Sequence, residues 1–177
     1  MMTSEPGVLH DGEIEAQRRF GVTREGQAMS RVLRDRLSPG MTAFIEAQPF
    51  FFIATANDRG DCDCSFRGSQ HPDPALKVID PTTLVFPDYS GNNLYNSLGN
   101  ILSNPHIGLL FVDFAHPARA RVNGRAEIIE DPAVYQTIWP EALRYVKVSV
   151  VQAFPNCKQR VPMLVPTPPH SNDDANK

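Results

Sequence analysis

From Arg119 to Ile128 the side chains alternate at every step. Arg119, Arg121, Asn123, Arg125 and Glu127 fall on one side, and Ala120, Val122, Gly124, Ala126 and Ile128 on the other. A period of two places successive side chains on opposite faces of an extended chain, so this segment is a strand with one wet and one dry face. Its dry face needs a sheet, and the segments able to build one are residues 50–56, 61–66, 76–79, 82–86, 107–114 and 144–151. The first of these, FFFIATA, is almost wholly apolar, which predicts burial on both faces. Asn57-Asp58-Arg59-Gly60 joins it to the next as a hairpin, with Gly60 where a positive φ is expected.

Helices are few and short in this reading. Residues 13–20 and 25–37 have helical character, the second with Ala28, Val32 and Leu33 on its apolar side. Ser38-Pro39 is a start signal, with Ser38 as cap and Pro39 at the first position, and Pro49 ends that helix. Asn92 or Asn93 caps a further helix running to Ser103. Leu94, Leu98, Ile101 and Leu102 form its apolar stripe, and Gly99 implies close approach of another backbone. Asp131 caps a short turn of helix begun by Pro132. Six or seven strands with short links predict a mainly β fold, a small antiparallel barrel with peripheral helices. One domain is expected: a helical segment over 1–48 packed on a barrel over 49–165, with a disordered tail over 166–177 in which prolines precede polar residues.

The formal charge of −3 argues against a nucleic-acid partner, which favours a basic chain. No apolar run reaches the roughly 18–20 residues needed to span a bilayer. The N-terminal stretch has early acids and no apolar core, unlike a secretory signal, so a cytoplasmic protein with no membrane association is expected. The three cysteines are Cys62, Cys64 and Cys157. Cys62 and Cys64 share one strand face, and with no further Cys or His pair at zinc spacing they read as small strand residues, with no metal site.

Two loops carry anion chemistry. Arg67 leaves a strand end followed by Gly68 and Ser69. A guanidinium fits phosphate with two parallel donors, glycine permits close approach of the backbone, and serine adds a hydroxyl. Ser90-Gly91-Asn92-Asn93 precedes a helix, where free N–H groups and the helix dipole favour an anion. Arg119, Arg121 and Arg125 form a third cationic set, of which Arg121, nearest mid-strand, is best placed to reach a ligand. The motifs GxGxxG, GxxxxGK[ST] and GxSxG are absent, and no nucleophile–base pair is visible. A phosphate site without acid–base machinery implies that a cofactor carries any reaction.

Four pieces occur together and in order: FIATANDRGDCDCSFRG, the run from LKVIDPTTLVFPDYSGNN through GLLFVDF, RVNGRAEI, and AFPNC. The combination resembles the pyridoxamine 5′-phosphate oxidase-like superfamily of FMN-binding split barrels, in its flavin-nucleotide-binding branch and not authentic pyridoxamine phosphate oxidase. The resemblance implies a split β-barrel and a homodimer with FMN at the interface. It places Arg67, Gly68, Ser69, Ser90, Gly91, Asn92 and Asn93 at the cofactor, with Asn100 and Arg121 as further matches. Phe154, Asn156 and Cys157 match the C-terminal segment that approaches the cofactor, from the same or the other subunit. The function it implies is an FMN-dependent oxidoreductase that takes electrons from a nicotinamide or small organic donor. The alternative is a non-catalytic carrier or binder of flavin, the deazaflavin F420 or haem. Residues 69–76 depart from the Gly-Pro-Gly-Phe-like segment of that branch. The C-terminal arginine and histidine pattern of true pyridoxamine phosphate oxidases is missing, so vitamin B6 oxidation is not expected.

Overall fold

The structure, a computed structural model, describes residues 9–69, 73–156 and 159–164. Seven strands form one antiparallel sheet: β1 (Phe50–Ala56), β2 (Cys62–Gly68), β3 (Lys77–Asp80), β4 (Thr83–Asp88), β5 (His106–Asp113), β6 (Ala118–Ile129) and β7 (Arg144–Pro155). Their order is β2-β1-β5-β6-β7-β4-β3, which leaves β2 and β3 as edges. The sheet curls onto itself. Phe51 of β1 meets Phe86 of β4 edge to face at 5.3 Å between ring centres, although β5, β6 and β7 separate their strands in the sheet. The fold is a split β-barrel with peripheral helices.

The alternation read in residues 119–128 holds in β6. Ala120, Val122, Gly124 and Ala126 are buried, and Arg121, Arg125 and Glu127 are exposed. The inward rows of β1, β5, β6 and β7 interleave around Phe51, Ile53, Leu109, Phe111, Val122, Val146 and Val148. β1 differs from expectation: it alternates, with Phe51, Ile53 and Thr55 inward and Phe50 and Phe52 outward but half-covered. The outward rings find one another. Phe50 stacks on Phe66 at 5.3 Å and on Phe114 at 6.4 Å, so an apolar strip lies on the outside of β1, β2 and the end of β5.

β6 and β7, twelve residues each, pair from Ala120/Pro155 to Ile129/Tyr145, with a register shift at Asn123/Gly124. A side chain at Gly124 would place its Cβ 2.3 Å from the Ser149 carbonyl oxygen, so the strands approach there only because the residue is glycine. β7 is longer than the predicted 144–151 because residues 152–155 continue the ladder with β6.

The helices are α1 (Asp11–Arg19), α2 (Thr23–Ser30), α3 (Pro39–Glu46) and α4 (Asn96–Ser103). α3 starts as predicted, with the Ser38 hydroxyl accepting from the Met41 N–H at 3.3 Å, and it buries Ile45 in the barrel. α2 stops at Ser30, short of the predicted 37. Arg34 instead exchanges backbone hydrogen bonds of 3.1 and 2.7 Å with Ala153, which pulls residues 31–37 out of the helix and across the end of β7. A second, smaller core covers the outside of β4 and β7, where Trp139, Ala142, Val85 and Tyr145 pack together. Asp131 accepts from the Ala133 N–H at 2.9 Å and opens this segment as a single 3-10 turn, Pro132–Val134. The Trp139 indole donates to the Pro74 carbonyl at 2.6 Å, tying the segment to the loop before β3. No helix among the described residues is long and apolar enough to cross a membrane.

Candidate functional site

Barrel closure brings the end of β2 against the end of β4. Between them and the start of α4 lies a cavity of about 420 Å³, lined by Asp63 and residues 65–68 on one side and residues 87–98 on the other. It holds six of the residues singled out from sequence: Arg67, Gly68, Ser90, Gly91, Asn92 and Asn93. Ser69 is not among the lining residues, but its hydroxyl is bonded to the phenol of Tyr89, which is.

Arg67 lines the cavity. Its Nη1 donates to the Ser65 hydroxyl at 2.8 Å and to the Phe66 carbonyl at 3.1 Å. Its Nε is buried and finds no hydrogen-bond partner among the described residues. Burial lowers the guanidinium from its ordinary value, while the carboxylates of Asp88 and Asp63 act in the opposite sense. A buried, unpaired donor on a permanent cation is costly, and an anion accepting from it removes that cost. Asp63 accepts from the Ser97 hydroxyl at 3.1 Å. Asp88 pairs with Arg144 at 3.5 Å, and burial raises its carboxyl while Arg67 and then Arg144 oppose the rise.

Gly68 lines the cavity and also serves the other face of its strand. A Cβ there would lie 2.9 Å from the Phe66 ring and 3.3 Å from the Phe50 Cβ, so its smallness serves the outer aromatic strip. Gly91 has open space around it, which leaves the backbone of its loop approachable.

The loop between β4 and α4 is built differently from the predicted capped helix. α4 begins at Asn96, after Tyr95 at φ 54°, and no side chain caps it. Asn92 turns its own loop, its side-chain oxygen accepting from the Leu94 N–H at 3.0 Å, and Asn93 sits at φ 61°. Asparagine suits caps, tight turns and left-handed backbone alike, so the type of loop was legible and its register was not. Among the described residues the backbone N–H groups of Ser90, Gly91, Asn92 and Asn93 donate to nothing. Of the predicted apolar stripe, Leu98 and Ile101 are buried, while Leu94 and Leu102 are 68% and 77% exposed. A Cβ on Gly99 would meet nothing within 4 Å, so the expected close backbone approach is absent.

Asn100, Arg121, Phe154 and Asn156 are not among the residues lining this cavity within one chain. Asn100 donates to the Thr55 hydroxyl at 3.1 Å and joins α4 to β1. Arg121 lies 5.9 Å from the ring centre of Phe154, its register partner on β7. The Asn156 N–H donates to the Arg119 carbonyl at 3.0 Å, and its side-chain oxygen is buried without a partner among the described residues. Arg125 is engaged by His106 at 3.2 Å. Cys157 and residues 165–177 lie outside the described residues, while Cys62 and Cys64 are exposed on β2. Among the described residues no group of three or more His, Cys, Asp or Glu side chains could hold a metal ion. Sequence reading missed Asp63, Asp88, Tyr95 and Arg144. The signal for Asp88 was Pro87-Asp88 at a strand end facing the arginine loop, visible only once the barrel closes.

The chain is an antiparallel split β-barrel whose end cleft carries a buried arginine and a loop, residues 90–93, whose backbone N–H groups donate to nothing among the described residues. The Pyridoxamine 5'-phosphate oxidase family profile matches residues 37–160, and the chain belongs to that family. The fold is similar to that of HupZ from Group A Streptococcus, at 19% identity over 73% of this chain and 99% of that one, with a TM-score of 0.55. It is likewise similar to a candidate pyridoxamine 5'-phosphate oxidase from Lactobacillus delbrueckii, at 19% identity over 68% and 95% of the two chains, with a TM-score of 0.55. No curated protein matches by sequence.

Proposed function

We propose that the chain binds FMN, holding its phosphate at Arg67 and the backbone amides of residues 90–93, and that it works as an FMN-dependent oxidoreductase on a small molecule. The buried Arg67 Nε, without a partner among the described residues, carries this reading. The residues fit a phosphate ester: one guanidinium, exposed N–H groups and a cavity of about 420 Å³ with aromatic walls. Bound flavin would supply hydride and electron chemistry, and the protein's part is to bind, orient and exclude water.

A homodimer with the cofactor at the interface fits the surface. Phe66 lines the cavity, stacks on Phe50, and is 58% exposed. A partner covering the strip of Phe50, Phe52, Phe66 and Phe114 would close one wall of the same cavity. Arg121, Phe154 and Asn156 are then candidates to reach a partner's cofactor. The second reading is a non-catalytic binder of flavin, F420 or haem. For flavin or F420 it is favoured by one observation: no His, Lys or Cys lines the cavity among the described residues, the same feature that denies haem its usual His or Cys ligand there.

The test is an absorption spectrum of the purified protein followed by FMN titration of Arg67→Ala. The substitution is expected to weaken FMN binding by about 1.5–3 kcal/mol, roughly 10- to 150-fold, the scale of a hydrogen bond to a charged group. Equal affinity in variant and parent would remove Arg67 from the site. Bleaching of bound flavin by NAD(P)H separates the oxidoreductase from the carrier.

A further inference from the structure

We propose that Asp88 determines which ligands this cavity retains: its carboxylate competes with an incoming anion for Arg67, so an anion is held there with uptake of one proton from solvent onto Asp88. The inference rests on the reading that Arg67 receives an anion. Four charged side chains meet at this place, two of each sign. Arg67 and Asp63 come from β2, Asp88 from the end of β4, and Arg144 from the start of β7. Without ligand the set is balanced. A phosphate or sulfate dianion delivered to Arg67 makes three negative groups, Asp63, Asp88 and the ligand, against Arg67 and Arg144, and the cheapest relief is to neutralise a carboxylate.

Asp88 is the carboxylate placed to take the proton. Its side chain is only 14% exposed, its ion partner Arg144 stands 3.5 Å away at the rim, and no hydrogen-bond donor to its carboxylate is found among the described residues. Asp63 differs, since the Ser97 hydroxyl donates to its carboxylate at 3.1 Å and favours the charged form. The other groups facing this pair are accounted for. Tyr95 lies under the Arg144 guanidinium at 5.3 Å, and Glu130 adds its field to Arg144. Tyr89 follows Asp88 in the chain and is bonded to Ser69, with Asp73 and Glu141 acting on it from outside. Burial raising the Asp88 carboxyl agrees with this assignment.

The direction follows from linkage. If anion binding raises the proton affinity of Asp88, anion affinity must rise as pH falls through its titration. A neutral ligand part, such as an isoalloxazine ring without phosphate, gains nothing from the proton. The cavity therefore discriminates by charge in a way that depends on pH.

The experiment uses the full chain and inorganic sulfate, whose charge is constant over the range. Binding is read from the NMR signal of the Arg67 Nε–H, assigned by its loss in Arg67→Lys. Sulfate affinity of the parent is expected to rise as pH falls from about 7.5 toward the ordinary carboxylate range, by at most about tenfold per pH unit for one proton taken up. Asp88→Asn is expected to bind at the higher pH as tightly as the parent does at the lower, with no slope, and Asp63→Asn to keep the slope. Asp88→Ser serves if the asparagine variant does not fold. A slope that survives loss of Asp88, a variant that binds no tighter than the parent, or no sulfate response at any pH would each overturn the inference. FMN titration of the same samples separates the two readings. FMN failing to bind while sulfate behaves as stated removes the flavin reading and leaves the proton-linked anion site standing. FMN binding at Arg67 with an unchanged slope in Asp88→Asn does the reverse.

Discussion

Arg67 keeps a positive charge where burial works against it, and the cavity around it is organised to tolerate that charge. The nearby carboxylates lower the cost without removing it, because the Nε still lacks an acceptor among the described residues. Asp88 is under the opposite tension. Its raised folded value means that the native protein binds a proton there more tightly than the unfolded chain does. The charged carboxylate therefore costs stability above the window between its ordinary and raised values, and stability is recovered as pH falls through that window. Asp88→Asn is expected to flatten the melting-temperature profile just above the ordinary carboxylate range, where the parent's stability recovers as pH falls. A variant profile parallel to the parent's there would contradict it. Gly124 is the other residue whose identity decides a local structure. Gly124→Ala would force its Cβ against the Ser149 carbonyl at 2.3 Å and the Val148 Cγ1 at 2.8 Å. A loss of about 1–3 kcal/mol or more is expected from overpacking and parted strands, read as a lower denaturant midpoint.

At the scale of elements, strands were far more legible than helices. The period of two in β6 and the apolar row of β1 come from side chains that face a core, and that periodicity survives in the sequence whatever the neighbours are. The end of α2 does not, because Ser30 is followed by residues with acceptable helical propensity. Only the backbone bonds of Arg34 to Ala153, a partner remote in sequence, draw the chain away. The start of α4 was misplaced for a related reason: Asn92 and Asn93 suit a cap and a turn equally. Of the site, the two loops were legible from their arginine, glycine and asparagines. Their facing carboxylate Asp88 was not, since it reads as the polar end of a strand until the sheet closes. The left-handed backbone at Asn93 and Tyr95 is a feature of the loop itself. Asn93→Val is expected to cost about 1–2 kcal/mol of loop order, because a β-branched side chain is disfavoured at positive φ. Faster hydrogen exchange at the first turn of α4, with the barrel amides unchanged, is the expected signature. Exchange rates equal to the parent's would place the strain elsewhere.

At the scale of the molecule, the outer aromatic strip asks for a cover. Phe50, Phe52, Phe66 and Phe114 form a connected set of rings on the convex side of the sheet, next to the edge strand β2. Exposed apolar patches of this kind mark association surfaces. On the proposed homodimer, the parent is expected to scatter as a dimer and Phe66→Asp as a monomer, with the fold retained by circular dichroism. Because Phe66 also lines the cavity, FMN affinity should fall in the same variant. A parent that scatters as a monomer at all concentrations would remove the partner from the picture.

The curl of the sheet has a consequence for how the protein comes together. Arg67 and Asp88 stand on strands separated by four others in the sheet, so the cavity has no existence in any part of the chain. The hairpin of β1 and β2 is local and closes a short loop, whereas the pairing of β6 with β7 and of β7 with β4 must precede the meeting of the two walls. A ligand seated there has no earlier form to guide. It acts as a latch on the finished barrel, slowing its opening while leaving the speed of its assembly unchanged.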